Sequence, residues 1–229
     1  MEENIISDAI ILDSKPREPK TVTIETHGCK LNQADSNQLA IQFMEAGYSV
    51  SPSDEPTDIY ILNTCTVTHI ADRKARHAIR TARKRNPETT IVVTGCYAER
   101  APEDLQRFDE IDIILGNSDK KFLVKSILEW RGETSIPSSA GEKVLMLNPR
   151  ITRTRAMVKI QEGCNQICAY CIVPKVRGRE QSISSERLIS EIQNHVMNGF
   201  KEVVLTGTQL GSYGFDLSNM TLSKLVERI

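Results

Sequence analysis

Two segments decide the fold of this chain: Asp58-Ile-Tyr-Ile-Leu-Asn63 and Thr90-Ile-Val-Val-Thr94. Both are short, apolar and rich in β-branched residues, which is typical of strands buried on both faces. Residues 71–85 lie between them with alanine and isoleucine at helical spacing, and Pro87 follows the end of that pattern. A strand, a helix and a second strand in this order predict a parallel pair of strands joined by a crossover helix.

The same alternation extends in both directions through the first half of the chain. Residues 21–26 have the period-two pattern of a strand, and residues 36–46 have the apolar spacing of a helix. Residues 111–115 predict a short strand, which a helix over residues 119–130 follows. We therefore expect residues 20–130 to form an α/β domain with an open parallel sheet.

A second series of strands and helices follows a break in the pattern. Residues 131–149 contain glycine, proline and serine in the mixture that predicts a linker. Beyond it we expect a strand at residues 156–160, a helix at 184–198 and a strand at 202–206. A complete βα barrel takes roughly 200 residues or more, so residues 150–229 are expected to be its incomplete first part.

Composition and charge favour an ordinary globular protein. The 229 residues include 29 basic and 30 acidic residues, and this balance gives no overall indication of a polyanionic partner. No apolar run approaches the length of about 18 residues that a membrane span requires, so we expect no membrane partner. The N-terminus is acidic where a secretory signal would be basic, and a cytoplasmic location is therefore predicted.

Three isolated cysteines follow the predicted strands. Cys29, Cys65 and Cys96 each come just after the carboxyl end of a strand, at the edge where open α/β sheets bind ligands. They can therefore converge in space and hold an iron–sulfur cluster. The alternative is that they are three ordinary buried cysteines, a common role for this small apolar side chain.

The other three cysteines form a compact C-x3-C-x2-C triplet, Cys164, Cys168 and Cys171. Three thiolates this close together can hold three corners of a four-iron cluster, which leaves one iron open to a small molecule. A structural zinc site would need four ligands, and His195, a candidate fourth ligand, lies far from the triplet in sequence. The spacing therefore favours an iron–sulfur cluster over zinc.

The triplet and its surroundings resemble a known family. The motif with an aromatic residue before its third cysteine is similar to that of radical S-adenosylmethionine enzymes, and the longer string from Lys159 to Ser182 resembles the methylthiotransferases. The short sequence motifs around the strand-end cysteines, which include Asn32 and Gln33, resemble those of the N-terminal domain of that family. The loop Leu205–Gly214 looks most like the branch that modifies threonylcarbamoyladenosine in tRNA.

This resemblance implies a function and its cofactors. The implied activity adds a methylthio group at C2 of N6-threonylcarbamoyladenosine, next to the anticodon of a tRNA, by radical chemistry. The implied cofactors are S-adenosylmethionine and two [4Fe-4S] clusters, and the implied partners are tRNA, an electron donor and a sulfur source. The six cysteines are the implied ligands of the two clusters, and no catalytic residue beyond them is implied. The strand-end set holds the auxiliary cluster and the triplet holds the radical cluster.

Further candidate site residues lie near the triplet. Tyr170, Gly207 and Gly211 are expected to bind S-adenosylmethionine, because a glycine-rich loop at the end of a barrel strand lets the backbone approach a cofactor. A plain loop is the alternative for the two glycines. Arg177 is a candidate partner for a carboxylate or phosphate, or else a surface arginine.

The predicted helix over residues 71–85 carries many basic side chains. Together with Arg150, Arg153 and Arg155 it has the charge to hold RNA phosphates, although a solvated helix face is the favoured interpretation. Because the resembled family also has the rest of the barrel and a C-terminal RNA-binding TRAM domain, the chain is expected to be truncated and inactive alone.

Two other functions stay open at this point. One is a methylthiotransferase of another branch, acting on isopentenyladenosine in tRNA or on a ribosomal protein. The other is a metal-stabilised RNA-binding fragment without activity.

Overall fold

The computed structural model describes residues 20–132, 155–166 and 168–229. The predicted linker, residues 131–149, lies almost entirely outside the described residues, as do Arg150 and Arg153. The predicted domain boundaries therefore stay a prediction.

The first half forms a five-stranded sheet in which every strand pair is parallel, as predicted. The strand order is β2-β1-β3-β4-β5. The strands are β1 Thr21–Thr26, β2 Ser49–Val50, β3 Ile59–Thr64, β4 Thr90–Gly95 and β5 Ile113–Leu115. The two segments that decide the fold, β3 and β4, are buried along their whole length, which explains their unbroken apolar character.

Helices cover both faces of this sheet. They are α1 Lys30–Glu45, α2 His69–Arg85, α3 Cys96–Arg100, α4 Pro102–Leu105 and α5 Leu123–Trp130, the last preceded by a 3-10 turn at Lys120–Phe122. One core cluster joins α1 and α5 to the sheet through Leu39, Phe43 and Ile127. The opposite cluster joins α2, α3 and α4 to it through Ile79, Tyr97 and other apolar side chains. The sheet is therefore a central layer between two helical layers.

The second half begins a separate βα series. Its elements are β6 Arg155–Lys159, β7 Gln161–Glu162, α6 Val173–Arg177, β8 Gln181–Ser182, α7 Ser185–Met197, β9 Glu202–Thr206 and α8 Leu222–Arg228. Strands β6 and β9 pair in parallel, with α7 between them in sequence, and β7 and β8 form a short antiparallel ribbon. A core of Val158, Ile160, Leu188, Ile192, Tyr213 and Leu225 packs these elements together. The pattern fits the start of a βα barrel.

The largest difference from the predicted elements is the start of α1. The helix begins at Lys30 and not at residue 36, with Cys29 as its N-cap. Its first two turns bury Asn32, Asp35 and Ser36 beside Leu31. Buried polar residues at these positions hide the apolar periodicity on which helix prediction depends, so the sequence pattern missed this part of the helix.

Among the described residues, the structure contains no helix that is long and apolar enough to cross a membrane.

Candidate functional site

The strand-end cysteines occupy equivalent places at one edge of the sheet. Cys29 follows β1 and caps α1, Cys65 follows β3 directly, and Cys96 follows β4 as the first residue of α3. Strands β1, β3 and β4 are neighbours and run parallel, so their carboxyl ends meet at the same edge. Cys29 is exposed, Cys65 is half-buried and Cys96 is buried, so burial increases along this rim of three cysteines from β1 to β4.

Backbone and side-chain contacts bring this rim together. Gly28 has a φ of 129°, and a Cβ atom there would lie 2.8 Å from the Cβ atom of Cys65, so only glycine fits. The Asn32 amide donates to the carbonyl oxygens of His27 and Thr64, each at 2.9 Å. These bonds tie the start of α1 to the end of β3.

The three thiols also share one electrostatic environment. Burial raises the pKa of the Cys65 thiol above its ordinary value, and the nearby Cys96 and Cys29 sulfurs raise it further. Among the described residues, no three His, Cys, Asp or Glu side chains lie close enough to hold a single metal ion. In a cubane cluster each thiolate binds its own iron, so the sulfurs stand further apart than the ligands of one ion. Three thiols are the donor type that iron–sulfur clusters use, and the assignment of these cysteines as ligands stays a prediction.

The second cysteine group lies in a loop whose ends are pinned by the β7–β8 ribbon. Gly163 has a φ of 74°, and a Cβ atom there would collide with the backbone of Arg179. The amide of Cys164 donates to the carbonyl oxygen of Gly178 at 3.2 Å, which closes the loop. Cys164 is half-buried, while Cys168 and Cys171 are exposed, so the loop presents thiols to the outside. Three thiols on one short closed loop suit a cubane cluster.

The candidate S-adenosylmethionine residues have different surroundings. Tyr170 is fully exposed. A Cβ atom at Gly207 would meet Gln161 at 3.0 Å, whereas one at Gly211 would meet nothing within 4 Å. Close packing thus requires a small residue at Gly207 but not at Gly211, and cofactor binding by all three residues stays a prediction.

Gln161 connects the two loops, and sequence reasoning missed it. Its buried side chain accepts a hydrogen bond from the amide of Gln209 at 2.9 Å and donates one to the carbonyl oxygen of Gly163 at 2.8 Å. The glycine-rich loop and the cysteine loop are therefore held together by one amide. A fully buried glutamine at a strand end was the available signal, and burial is not visible in sequence.

A buried carboxylate links the two halves of the molecule. Asp35 of α1 lies 3.0 Å from Lys120 Nζ, 2.7 Å from Lys159 Nζ and 3.4 Å from Arg177 Nη1. The last two residues belong to the second half, where Glu162 also binds both, at 2.9 Å to Lys159 and 2.7 Å to Arg177. Sequence reasoning missed Asp35 and Lys120, whereas the suggestion that Arg177 meets a carboxylate is confirmed.

We call the charged cluster of Asp35, Glu162, Lys120, Lys159 and Arg177 the hub. The three cations of this hub determine the protonation state of Asp35. Burial alone would raise the pKa of Asp35, but Lys120, Lys159 and Arg177 together hold it well below its ordinary value. Burial also lowers the pKa of Lys120, which has almost no solvent contact, whereas Asp35 and Glu162 outweigh burial at Lys159 and raise its pKa. Asp35 is therefore ionised at neutral pH and acts as the shared counter-ion.

The basic helix α2 divides into structural and free cations. Arg83 donates to three backbone carbonyl oxygens and to Asp112 at 2.8 Å, so it ties α2 to the chain before β5. Arg76 and Arg80 are also engaged, one with the hydroxyl of a buried tyrosine at 3.1 Å and the other over a phenylalanine ring. Among the described residues, the exposed side chains of Arg73, Lys74 and Lys84 have no such partner. Some basic side chains of α2 thus have structural roles and others are free, an outcome that lies between the two interpretations of the sequence, RNA binding and a solvated helix face.

Two of the free cations, Arg73 and Lys74, line a cleft of about 560 Å³ between α2 and β1. Glu25 and His27 also line it and are joined by a 2.7 Å contact between Oε1 and Nε2. Tyr60 donates to the other oxygen of Glu25 at 2.6 Å. Glu25 therefore joins His27 to Tyr60 in one hydrogen-bonded group at the edge of the cleft.

The fold is also found in a solved structure. A radical S-adenosylmethionine methyltransferase, TsrM from Kitasatospora setae, superposes with a TM-score of 0.57 at 13% identity, over 91% of this chain and 50% of that one. At this low identity the similarity shows the fold alone. It confirms the expected class: a parallel α/β domain followed by part of a βα barrel.

Sequence comparison relates the chain to a family model and to curated proteins. Residues 21–116 match the family described as "Uncharacterized protein family UPF0004". The threonylcarbamoyladenosine tRNA methylthiotransferases of Aquifex aeolicus and Bacillus subtilis are 38% and 37% identical to the chain, and each alignment covers 91% of it. A tRNA-2-methylthio-N(6)-dimethylallyladenosine synthase of Dictyoglomus thermophilum is 35% identical over 90% of the chain. Residues 21–116 thus carry a UPF0004 domain, and the chain has homologues among the tRNA methylthiotransferases.

The chain spans about half the length of the curated relatives it matches, namely 52%, 48% and 49% of these three proteins.

Proposed function

We propose that this chain is the cluster-bearing part of a tRNA methylthiotransferase, which adds a methylthio group at C2 of N6-threonylcarbamoyladenosine next to the anticodon. The observation that carries the proposal is the position of Cys29, Cys65 and Cys96. They share one sheet edge, and this edge is joined through Asp35 to the domain that carries the second cysteine group. Attaching sulfur to a carbon by radical chemistry needs both a radical source and a sulfur carrier. Two adjoining cysteine sites meet that need.

The residues for each role follow from this arrangement. The triplet Cys164, Cys168 and Cys171 would hold the radical cluster, and the strand-end cysteines would hold the auxiliary cluster. With S-adenosylmethionine bound, the radical cluster supplies the 5′-deoxyadenosyl radical that can break a strong, unactivated C–H bond. The chain would position this cofactor.

The chain's own residues set the geometry of the cofactor site. Gln161 holds the glycine-rich loop and the cysteine loop in contact, so a cofactor bound by one loop is fixed relative to the other. Gly207 and Gly211 let the backbone approach the cofactor, and Tyr170 stands exposed between Cys168 and Cys171 to cover it. Groups that hold the reacting atoms in the right relative position increase the reaction rate.

RNA would bind along the free cations of α2. Arg73 and Lys74 lie beside the cleft, and Lys84 lies further along the same helix. Unpaired basic side chains bind the phosphate backbone without reading sequence, and they position the RNA. Arg155 is a weaker candidate because it binds Glu202 at 2.6 Å.

A second candidate substrate is supported by the comparisons. The dimethylallyladenosine synthase of Dictyoglomus thermophilum is only slightly less similar to the chain than the threonylcarbamoyladenosine enzymes are. The two substrates differ in the group on N6, and the cysteine motifs do not distinguish them. The nucleoside formed from each tRNA therefore has to be measured.

The test is anaerobic reconstitution followed by nucleoside analysis. Two clusters require about eight irons and eight sulfides per chain, whereas a structural metal site requires one or two zinc ions. The reconstituted chain, alone and within any longer protein that contains it, is then incubated with S-adenosylmethionine, a reductant and tRNA of each type. Digested tRNA that shows 2-methylthio-threonylcarbamoyladenosine by mass spectrometry supports the proposal. Intact clusters without any methylthiolated nucleoside would refute it.

A further inference from the structure

Helix α6 lies between the two groups of cysteines. It begins at Val173, two residues after Cys171, and it packs against α3, which begins at Cys96. Its last residue, Arg177, has a side chain that is only 4% exposed. The short helix therefore belongs to one cysteine loop in sequence and to the other cysteine site in space.

One side-chain amide connects Arg177 to Cys29. The Oδ1 atom of Asn32 accepts a hydrogen bond from Arg177 Nη2 and lies 3.8 Å from the Sγ atom of Cys29. The other end of the same amide donates to the carbonyl oxygen of Thr64, the residue before Cys65. Asn32 thus joins the guanidinium group to two members of the strand-end set.

A second amide makes an equivalent connection to Cys96. The Nδ2 atom of Asn117 donates to the carbonyl oxygen of Val176 at 2.6 Å and lies 3.6 Å from the Sγ atom of Cys96. Its Oδ1 atom accepts from Lys120 at 2.8 Å, which fixes the orientation of the amide. An N–H group that faces a sulfur stabilises negative charge on it and tunes the potential of a cluster bound there.

The charge of Arg177 suits the same site. Burial opposes the charged form, but Cys96, Asp35, Glu162 and Cys29 outweigh it and raise the pKa of Arg177 above its ordinary value. The guanidinium group is therefore a permanent buried cation among thiols and carboxylates. Three thiolates on a cluster leave a net negative charge, and a fixed cation nearby favours its reduced form.

We propose that Arg177 is a positioning residue that completes the strand-end cysteine site from the second half of the chain. Through Asn32 and Asn117, α6 holds the two cysteine groups at a set separation, and the guanidinium group offsets the charge of the auxiliary cluster. This inference rests on the proposed function, because it takes both cysteine groups as cluster ligands. Beyond the proposed function, the inference is that α6 and Arg177 connect the two cysteine sites into one structural unit.

The first experiment measures the reduction potential of the auxiliary cluster alone. The three cysteines of the triplet are replaced by alanine, the chain is reconstituted anaerobically, and the cluster is titrated by electron paramagnetic resonance. Arg177→Gln should shift the potential to a more negative value because it removes the cation. Arg177→Lys keeps the positive charge, so its reduction potential should lie close to that of the wild type. Arg179→Gln is the matched control, since Arg179 is exposed in the same loop, and it should leave the potential unchanged.

The second experiment measures the separation of the two clusters in the chain with all six cysteines. Pulsed dipolar spectroscopy of the reduced chain should give a broader or shifted distance distribution for both Arg177→Gln and Arg177→Lys, because lysine cannot form all the bonds of the guanidinium group. If Arg177→Gln fails to fold, Asn117→Leu tests the same connection, and it should also lower the potential by removing the N–H group near Cys96.

The outcomes separate this inference from the proposed function. An unchanged potential and an unchanged distance in Arg177→Gln, with both clusters present, would overturn this inference alone. Clusters that respond to Arg177 in a protein that forms no methylthiolated tRNA would support it while refuting the proposed function. A wild-type chain that takes up no auxiliary cluster would overturn both.

Discussion

Neutralising Asp35 should destabilise the chain far more than its single charge suggests. Its side chain is 2% exposed and serves as counter-ion to Lys120, Lys159 and Arg177. The substitution Asp35→Asn keeps the shape of the side chain but removes the carboxylate that binds the buried Lys120, and it leaves Lys159 and Arg177 with Glu162 as their carboxylate partner. Removing one side of a buried ion pair costs about 3–5 kcal/mol, and we expect a loss of this size.

The chain offers a matched control in the exposed pair Arg155–Glu202. This pair is shorter, at 2.6 Å, but its side chains are 60% and 51% exposed. Because solvent screens such pairs, Glu202→Gln should cost only about 0–1 kcal/mol. The contrast isolates burial as the cause, since both substitutions replace a carboxylate by its amide.

The assay is urea and thermal unfolding of the wild type and both variants. For a chain of this size, about 3–5 kcal/mol corresponds to a decrease of roughly 6–20 °C in the melting temperature. The control should stay close to wild type. An Asp35→Asn variant as stable as Glu202→Gln would show that the hub does not hold the two halves together.

The pH dependence provides an independent check on the same carboxylate. The folded-state pKa of Asp35 lies well below its ordinary value of about 3.9, so the unfolded chain takes up the proton first on acidification. The stabilisation is complete above about pH 4 and is lost as the pH falls towards the folded-state pKa. The difference in stability between wild type and Asp35→Asn should therefore stay constant from pH 7 to about pH 4 and shrink as the pH falls further.

Two other predictions concern the cluster site and RNA. Gly28→Ala should lower the iron content of the reconstituted chain by about half, because its Cβ atom would lie 2.8 Å from the side chain of a neighbouring cysteine. Gly199→Ala, which also has a positive φ but meets nothing within 4 Å, should retain full iron, and equal iron contents would contradict the steric argument. The double substitution Arg73→Gln/Lys74→Gln should weaken RNA binding and reduce the slope of log affinity against log salt by roughly 0.7–0.9 per lost contact. Lys201→Gln, on an exposed residue of the second half, is its control, and an equal effect of both would exclude a specific role for α2.

The sequence pattern predicted the elements that carry the cysteines. Strands β1, β3 and β4 have the β-branched, apolar runs that parallel strands require, and glycine or proline marks many of their ends. Their order along the chain placed Cys29 and Cys96 at strand ends without any structure. This worked because local periodicity and the rules for parallel connections are both written in short stretches of sequence.

The sequence could not predict the groups that join the two halves. Asn32 and Asp35 lie before the helix that the sequence predicts and look like ordinary polar residues, and Lys120 looks like a surface lysine. Their burial depends on residues far along the chain, because Lys159 and Arg177 of the second half bond to Asp35 of α1. Local sequence patterns cannot predict that a charged side chain will be buried by residues far along the chain.

The sequence by itself determined a parallel α/β architecture, the two groups of cysteines and the resemblance to methylthiotransferases, since all three depend on spacing within short motifs. Only the tertiary structure shows that the two cysteine groups adjoin each other. Arg177 follows the triplet in sequence, but its side chain bonds to Asn32, next to the strand-end cysteines. The physical reason is that buried charges must find partners, and Asp35 finds its own only where the two domains meet.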